Sequence, residues 1–217
     1  RNAVLRASPK EGNHLLAYVL NPGYAQELTA WHKTQSNQIL HCFWDKKDAP
    51  PEHSPHEGLT FHRLDANAFL ELLASCRGFT STAGFESVCE AAFLGKPILL
   101  VPTRKHVEQL CNAMDAERAG VAVWREDFDL TEFLGKLEGW DRTGLDEYRA
   151  WVERAPQIFL RLLETMRANE AGIKADIDIE FLHDFRIAVR RTRSALSQIK
   201  DFKIILKPSI TSGPCAS

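Results

Sequence analysis

Two short turns and one helix start carry the side chains that could handle an anionic ligand. Asn21-Pro22-Gly23 and Thr80-Ser81-Thr82-Ala83-Gly84 are small-residue turns, each followed by a helix-like stretch. Small residues let a backbone approach a phosphate, and the positive end of a helix dipole favours the anion. Glu90 lies about two turns into the helix that begins at Gly84, and a carboxylate there can accept both hydroxyls of a ribose. Pro102 to Asn112 (PTRKHVEQLCN) sets His106, Glu108, Gln109 and Asn112 at the start of a further helix. The same residues also suit ordinary βα turns and a solvated helix start, so both readings stand at this level.

A second constellation lies near the other end. His183, Arg186, Arg190 and Arg193 are spaced 3, 4 and 3 residues apart and form a stripe, with Arg191 beside it. Guanidinium forks pair bidentately with phosphate oxygens, so the stripe suits a polyanion. Asp184 brings one negative charge against four arginines. Leu182, Phe185, Val189 and Leu196 are expected to share an apolar face. A solvated amphipathic helix is the plainer alternative.

These residues need elements to hold them. His14 to Leu20 reads as a strand, Tyr24 to Lys33 as a helix, and Gln38 to Trp44 as a second strand. Asp45 to Gly58, rich in proline and acid, reads as a solvated loop. Leu59 to Arg63 (strand), Ala66 to Ser75 (helix), Gly78 to Ser81 (strand) and Phe85 to Leu94 (helix) follow. Pro97 to Pro102 reads as a strand buried on both faces. Val107 to Arg118 reads as a helix and Val121 to Trp124 as a strand. Gly95 and Gly120 are predicted to cap the helices before them. Such alternation predicts a doubly wound α/β domain with a parallel sheet. Strands stop after about Asp129. Pro156 reads as the start of a new helix through Ala168, followed by a polar linker and a further helix from about Ile179.

The composition narrows the class. With 217 residues, 44% hydrophobic and 26% charged, the chain is neither disordered nor a disulfide-stapled mini-protein. Its longest apolar runs, such as Ile98 to Val101, are far below the roughly 20 residues that span a bilayer. A net charge of −2 argues against a general nucleic-acid binder. Cys42, Cys76, Cys89, Cys111 and Cys215 fit no zinc spacing. They read as reduced, buried thiols, with a cytoplasmic location expected. There is no internal repeat or low-complexity segment. The chain begins at Arg1 without a Met or signal-peptide pattern and is expected to be part of a longer protein.

STAGFESVCEAAFLGKPILLVP, followed by EQLCNAMDAERAG, resembles the nucleotide-binding half of GT-B glycosyltransferases. The branch that includes the peptidoglycan UDP-N-acetylglucosamine transferase is the nearest in pattern. YVLNPGYAQEL and LHCFWDKKDAP resemble a group of uncharacterised bacterial GT-B-like proteins. The likeness covers about residues 10–125 and is most specific over 80–120. It implies transfer of a sugar from a nucleotide diphospho-sugar, with a UDP-sugar expected, and neither cofactor nor metal. It implies that Glu90 holds the ribose, that Gln109 contacts the donor sugar, and that the backbone near Leu64 to Ala66 flanks the base. The implied nucleotide-sugar set is Gly23, Ala83, Gly84, Phe85, Glu90, His106 and Gln109. His106 is the candidate to assist a departing diphosphate. Two departures stand out. The first turn is Asn-Pro-Gly rather than Gly-Ser-Gly, and the half that binds acceptor and usually supplies the base has no counterpart here. Activity is therefore expected only when that half is supplied.

HDFRIAVRRTRSAL resembles the opening helix of CHAD domains, and LLETMRANEAGIKADID their lead-in. The resemblance implies an all-α bundle that binds inorganic polyphosphate through His183, Arg186, Arg190 and Arg193. The match ends at about Lys200, so only the start of such a bundle is expected. The expected organisation is 1–140 donor domain, 141–156 helical linker, 157–200 partial CHAD segment and 201–217 unassigned. The alternative function is a polyphosphate-binding module on a vestigial glycosyltransferase scaffold.

Overall fold

In the computed structural model, residues 12–175, 180 and 182–189 are described below. Seven strands form one sheet: β1 (His14–Val19), β2 (Ile39–Trp44), β3 (Glu52–His56), β4 (Leu59–Arg63), β5 (Gly78–Ser81), β6 (Ile98–Leu100) and β7 (Val123–Trp124). Their order across the sheet is β3-β4-β2-β1-β5-β6-β7. All neighbours pair in parallel except β3 with β4. The helices are α1 (Pro22–Thr34), α2 (Ala66–Ser75), α3 (Phe85–Phe93), α4 (Val107–Arg118), α5 (Thr131–Lys136) and α6 (Thr143–Lys174).

Helices cover both faces, as a parallel sheet requires. Leu16, Phe43, Phe79, Ile98 and Leu100 point to one face and pack with Leu73 and Ala74 of α2, Ala91 and Ala92 of α3, Ala113 of α4 and Leu145 of α6. Their sequence neighbours Leu15, Ala17, Leu40, Cys42 and Leu99 point to the other, against Tyr24, Ala25, Leu28 and Trp31 of α1 and Phe133 of α5. The two-residue alternation of a strand divides the apolar side chains between two cores. The fold is doubly wound and Rossmann-like, as the alternation of elements predicted, and a helical segment follows it.

Local chemistry sets the helix ends. Asn21 caps α1 and Pro22 takes its first turn, where a missing N–H costs nothing. The Asp65 carboxylate caps α2 by accepting from the N–H groups of Asn67 and Ala68. Gly95 and Gly120, predicted as C-terminal caps, adopt φ of 68° each. Arg142 donates to the Gly95 carbonyl and Arg149 to the Phe93 carbonyl. The guanidinium groups of Arg142, just before α6, and of Arg149, on it, thereby satisfy carbonyls at the C-terminal end of α3.

The predicted loop over 45–58 contains β3, an antiparallel edge strand on β4. Its side chains are mostly exposed and it includes Pro55. An edge strand tolerates both, because one side of its backbone needs no partner. The predicted helix start at Pro156 is also corrected. α6 runs through Pro156 without a break, and on to Lys174 past the predicted linker after Ala168. The proline removes one N–H from a helix that good helix formers continue on both sides. The expected burial of the thiols holds for Cys42 and Cys76, whereas Cys111 is exposed on α4 and Cys89 is half-buried. Cys215 lies outside the described residues. Burial pushes the Cys76 thiol up to about 12, so it stays protonated.

The chain divides into two units, Arg1–Glu153 and Arg154–Ser217. In the second, residues 182–189 are helical, apart from the later part of α6. Among the described residues, no helix is long and apolar enough to cross a membrane.

Candidate functional site

The chain leaves β1 toward β2 on one side and later returns to place β5 on the other. The gap between the carboxyl ends of β1 and β5 is therefore the topological switch point, where open α/β sheets bind ligands. Tyr18 lies opposite Ser81, and Ser81 opposite Leu100, so β1, β5 and β6 end side by side. The loops that follow them hold all three predicted stretches: 20–23, 82–84 and 101–106.

At the first turn, the Asn21 side chain accepts the Gly23 N–H at 2.8 Å. The donor expected to approach a phosphate thus already has a partner. At the second turn, Gly84 is the N-cap of α3 and supplies no side-chain hydrogen bond. A methyl group built on Gly84 would meet nothing closer than the Thr82 carbonyl at 4.0 Å. Its φ of −74° is one that any residue adopts. Neither packing nor backbone conformation requires glycine there, so the room stays open toward the start of α3. Phe85 follows, 57% exposed. Glu90 is half-buried on the same helix.

The third loop is the strained one. Lys105 has φ of 66°, the one positive value among the described non-glycine residues. Such a conformation costs of order 1–3 kcal/mol and persists only where surrounding structure enforces it. Enforcement comes from both sides. The Thr103 N–H donates to the Gln109 side chain at 2.8 Å, and the Gln109 N–H donates to His106 Nδ1 at 3.3 Å. His106 is exposed and is the N-cap of α4. With Nδ1 accepting, a neutral His106 carries its proton on Nε2. Asn112 donates to the carbonyl of buried Ala83 at 3.2 Å, tying α4 to the second turn. Sequence reasoning placed Asn112 at the start of α4 but missed this bond, which no spacing rule reports.

The 64–66 loop follows β4 at the same carboxyl edge, two strands from β1. Leu64 is 42% exposed there. The Asp65 carboxylate is occupied in capping α2, which leaves backbone and Leu64 as the surface on offer.

Residues 1–137 match the family model described as glycosyl transferase family 1. The chain belongs to that family. A CHAD domain model matches residues 157–203. No curated protein matches the sequence. Among solved structures, the glycosyltransferase domain is similar to the spinosyn forosaminyltransferase SpnP, at 13% identity over 67% of this chain and 40% of that one, with a TM-score of 0.52. It is similar to the spinosyn rhamnosyltransferase SpnG complexed with thymidine diphosphate, at 13% identity over 66% of this chain and 42% of that one, with a TM-score of 0.50. SnogD from Streptomyces nogalater matches at 18% identity over 68% and 40% of the two chains, with a TM-score of 0.48. The chain spans about two fifths of the length of these structures.

In the second unit, His183 and Arg186 are both exposed on the 182–189 helix. Phe185 and Val189 are half-buried and Ala188 is buried. Leu182, expected on the apolar face, is instead 42% exposed. Arg190, Arg191, Arg193 and Leu196 lie outside the described residues.

Proposed function

We propose that residues 1–140 bind a nucleoside diphospho-sugar, with UDP as its nucleotide, and serve as the donor half of a sugar transferase. The observation that carries this reading is the start of α3. It sits at the switch point, has no side-chain cap, and has open space where a Cβ at Gly84 would lie. The diphosphate would lie against the N–H groups of Phe85 and the residues after it, near Ala83 and Gly84, since the Gly84 N–H itself donates to the Thr82 carbonyl at 2.6 Å. As the glycosidic C–O bond breaks, charge grows on the departing diphosphate, and a fixed helix dipole stabilises it without reorganisation. His106 Nε2–H would donate to the same oxygens. Glu90 would accept the ribose hydroxyls and Gln109 would meet the sugar. Gly23 contributes only if the Asn21 side chain yields its N–H. SpnG holds thymidine diphosphate, so a pyrimidine nucleoside diphosphate suits the fold. An acceptor and a base would come from a further domain, and activity awaits it.

The expected division is 1–140 donor domain, 141–156 helical linker, 157–200 CHAD-type segment and 201–217 unassigned. A second reading rests on the CHAD match together with exposed His183 and Arg186. These residues, with Arg190 and Arg193, would hold inorganic polyphosphate. Calorimetric titration with UDP and with polyphosphate, each at low and high salt, tests both readings. Saturable UDP binding supports the donor site. Polyphosphate binding that falls steeply with salt, without UDP binding, favours the second.

A further inference from the structure

Three histidines that neither reading uses form a row across the sheet. His14 begins β1, His41 is in β2 and His62 in β4, adjacent strands in the order β4-β2-β1. Strand alternation puts His14 with Leu16, and His41 with Phe43, on the face covered by α2. His62 stacks on Phe43 from the same side at 5.0 Å. His14 meets His41 edge-on at 5.1 Å, and His41 Nδ1 lies 2.8 Å from His62 Nε2. His62 Nδ1 lies 3.5 Å from a Glu52 carboxylate oxygen on β3. His14 Nε2 lies 3.0 Å from the Leu72 carbonyl of α2.

These partners select one set of tautomers. A carbonyl only accepts, so His14 donates from Nε2 to Leu72. The Glu52 carboxylate, 3.5 Å from His62 Nδ1 in an ion-pair contact rather than a hydrogen bond, favours the tautomer with its proton on Nδ1, which leaves Nε2 to accept. His41 then donates from Nδ1. All three rings are neutral in this arrangement. A second proton on His62 would set N–H against N–H across the 2.8 Å contact unless His41 moved its own proton from Nδ1 to Nε2. A proton added to His41 would place a charge between two imidazoles. The charged groups facing the row are Lys96 beside His14 and Glu52 beside His62.

We infer that this row is a pH-sensitive clasp on the 64–66 loop. His62 lies two residues before Leu64, and Leu72, held by His14, lies in the helix that Asp65 caps. Neutral, the row holds β4 and α2, the two elements flanking that loop, onto β1 and β2. Protonated, it releases them, and the loop loses its fixed position. That the loop flanks a nucleotide base rests on the donor-site reading; the clasp itself does not.

Burial pushes all three rings below the ordinary histidine value, His41 down to about 4. A histidine whose folded value is lowered gives stability that is complete above its unfolded value near 6.5. That stability is lost as pH falls toward the folded value. For His41 the window therefore runs from about 6.5 down to about 4.

Amide hydrogen exchange on the full chain at pH 7.5 and pH 4.5, corrected for intrinsic rates, tests the clasp. Segments 59–72 are expected to lose protection at least tenfold more than 98–124 on acidification. His41→Gln, which cannot charge, should show a smaller pH effect on 59–72, and His62→Gln provides a second variant should the first not fold. Equal loss in both segments, or an unchanged pH effect in the folded variant, would overturn the proposal. UDP titration at the same two pH values separates the readings. Affinity falling with protection supports the link to the loop. Constant affinity with loosened exchange overturns that link. No UDP binding at pH 7.5 overturns the donor-site reading, while the exchange result still decides the clasp.

Discussion

α1 and α3 both start at the switch point, one turn after neighbouring strands, and the two starts are prepared differently. At α1 the Asn21 side chain takes the Gly23 N–H and Pro22 contributes none. At α3 the cap is a glycine with no side chain to spend on the helix, and the space above it is open. Both turns are short, polar and glycine-containing. Only one leaves its first-turn donors without a side-chain cap. A helix start that satisfies itself gains stability, whereas one that does not can give its dipole and N–H groups to an anion.

The sharpest way to break this contrast is at Glu90, on the open helix. Glu90→Ala is expected to weaken UDP binding by about 1.5–3 kcal/mol, or roughly 10- to 150-fold, the usual range for a hydrogen bond to a charged group. Circular dichroism melts would check that the fold survives. Gly84→Ala comes next. The methyl fits the protein, so stability should change by less than about 0.5 kcal/mol. UDP affinity should still fall roughly tenfold, about 1.4 kcal/mol, because the methyl occupies the space offered to the diphosphate. Asn21→Ala should act the other way round. Loss of the cap is expected to cost about 1 kcal/mol of stability in urea unfolding. UDP affinity should be unchanged or slightly improved as the Gly23 N–H comes free. The smallest effect is expected from Lys105→Gly. Relief of the left-handed conformation, offset in part by glycine's greater loss of conformational freedom on folding, should raise stability by about 1 kcal/mol. If the 101–106 loop belongs to the site, affinity should drop severalfold.

The comparison also shows what a linear sequence discloses. β6 was legible because a short apolar run between prolines is typical of a strand buried on both faces. The ends of α3 and α4 were legible because Gly95 and Gly120 take a conformation that most residues avoid. β3 was not, since an edge strand made of exposed, polar residues has the composition of a loop. Pro156 misled because the residue marks helix starts more often than interiors. In the site, the small-residue turns and the polar start of α4 were visible as motifs. The bonds that differentiate them were not. Asn21 to Gly23 spans two residues, but Asn112 to Ala83 spans 29 and depends on how α4 lies beside the turn after β5. The histidine row was invisible for the same reason. Its members are 27 and 21 residues apart, and only the strand register puts them on one face.

The central claim is that the open start of α3 is a nucleotide site. Calorimetric titration of UDP into the native chain and into Gly84→Ala tests it most directly. Saturable binding by the native chain, weakened about tenfold in a variant of equal melting temperature, is the expected result. Equal affinity in both chains, or no binding by the native chain, would contradict it.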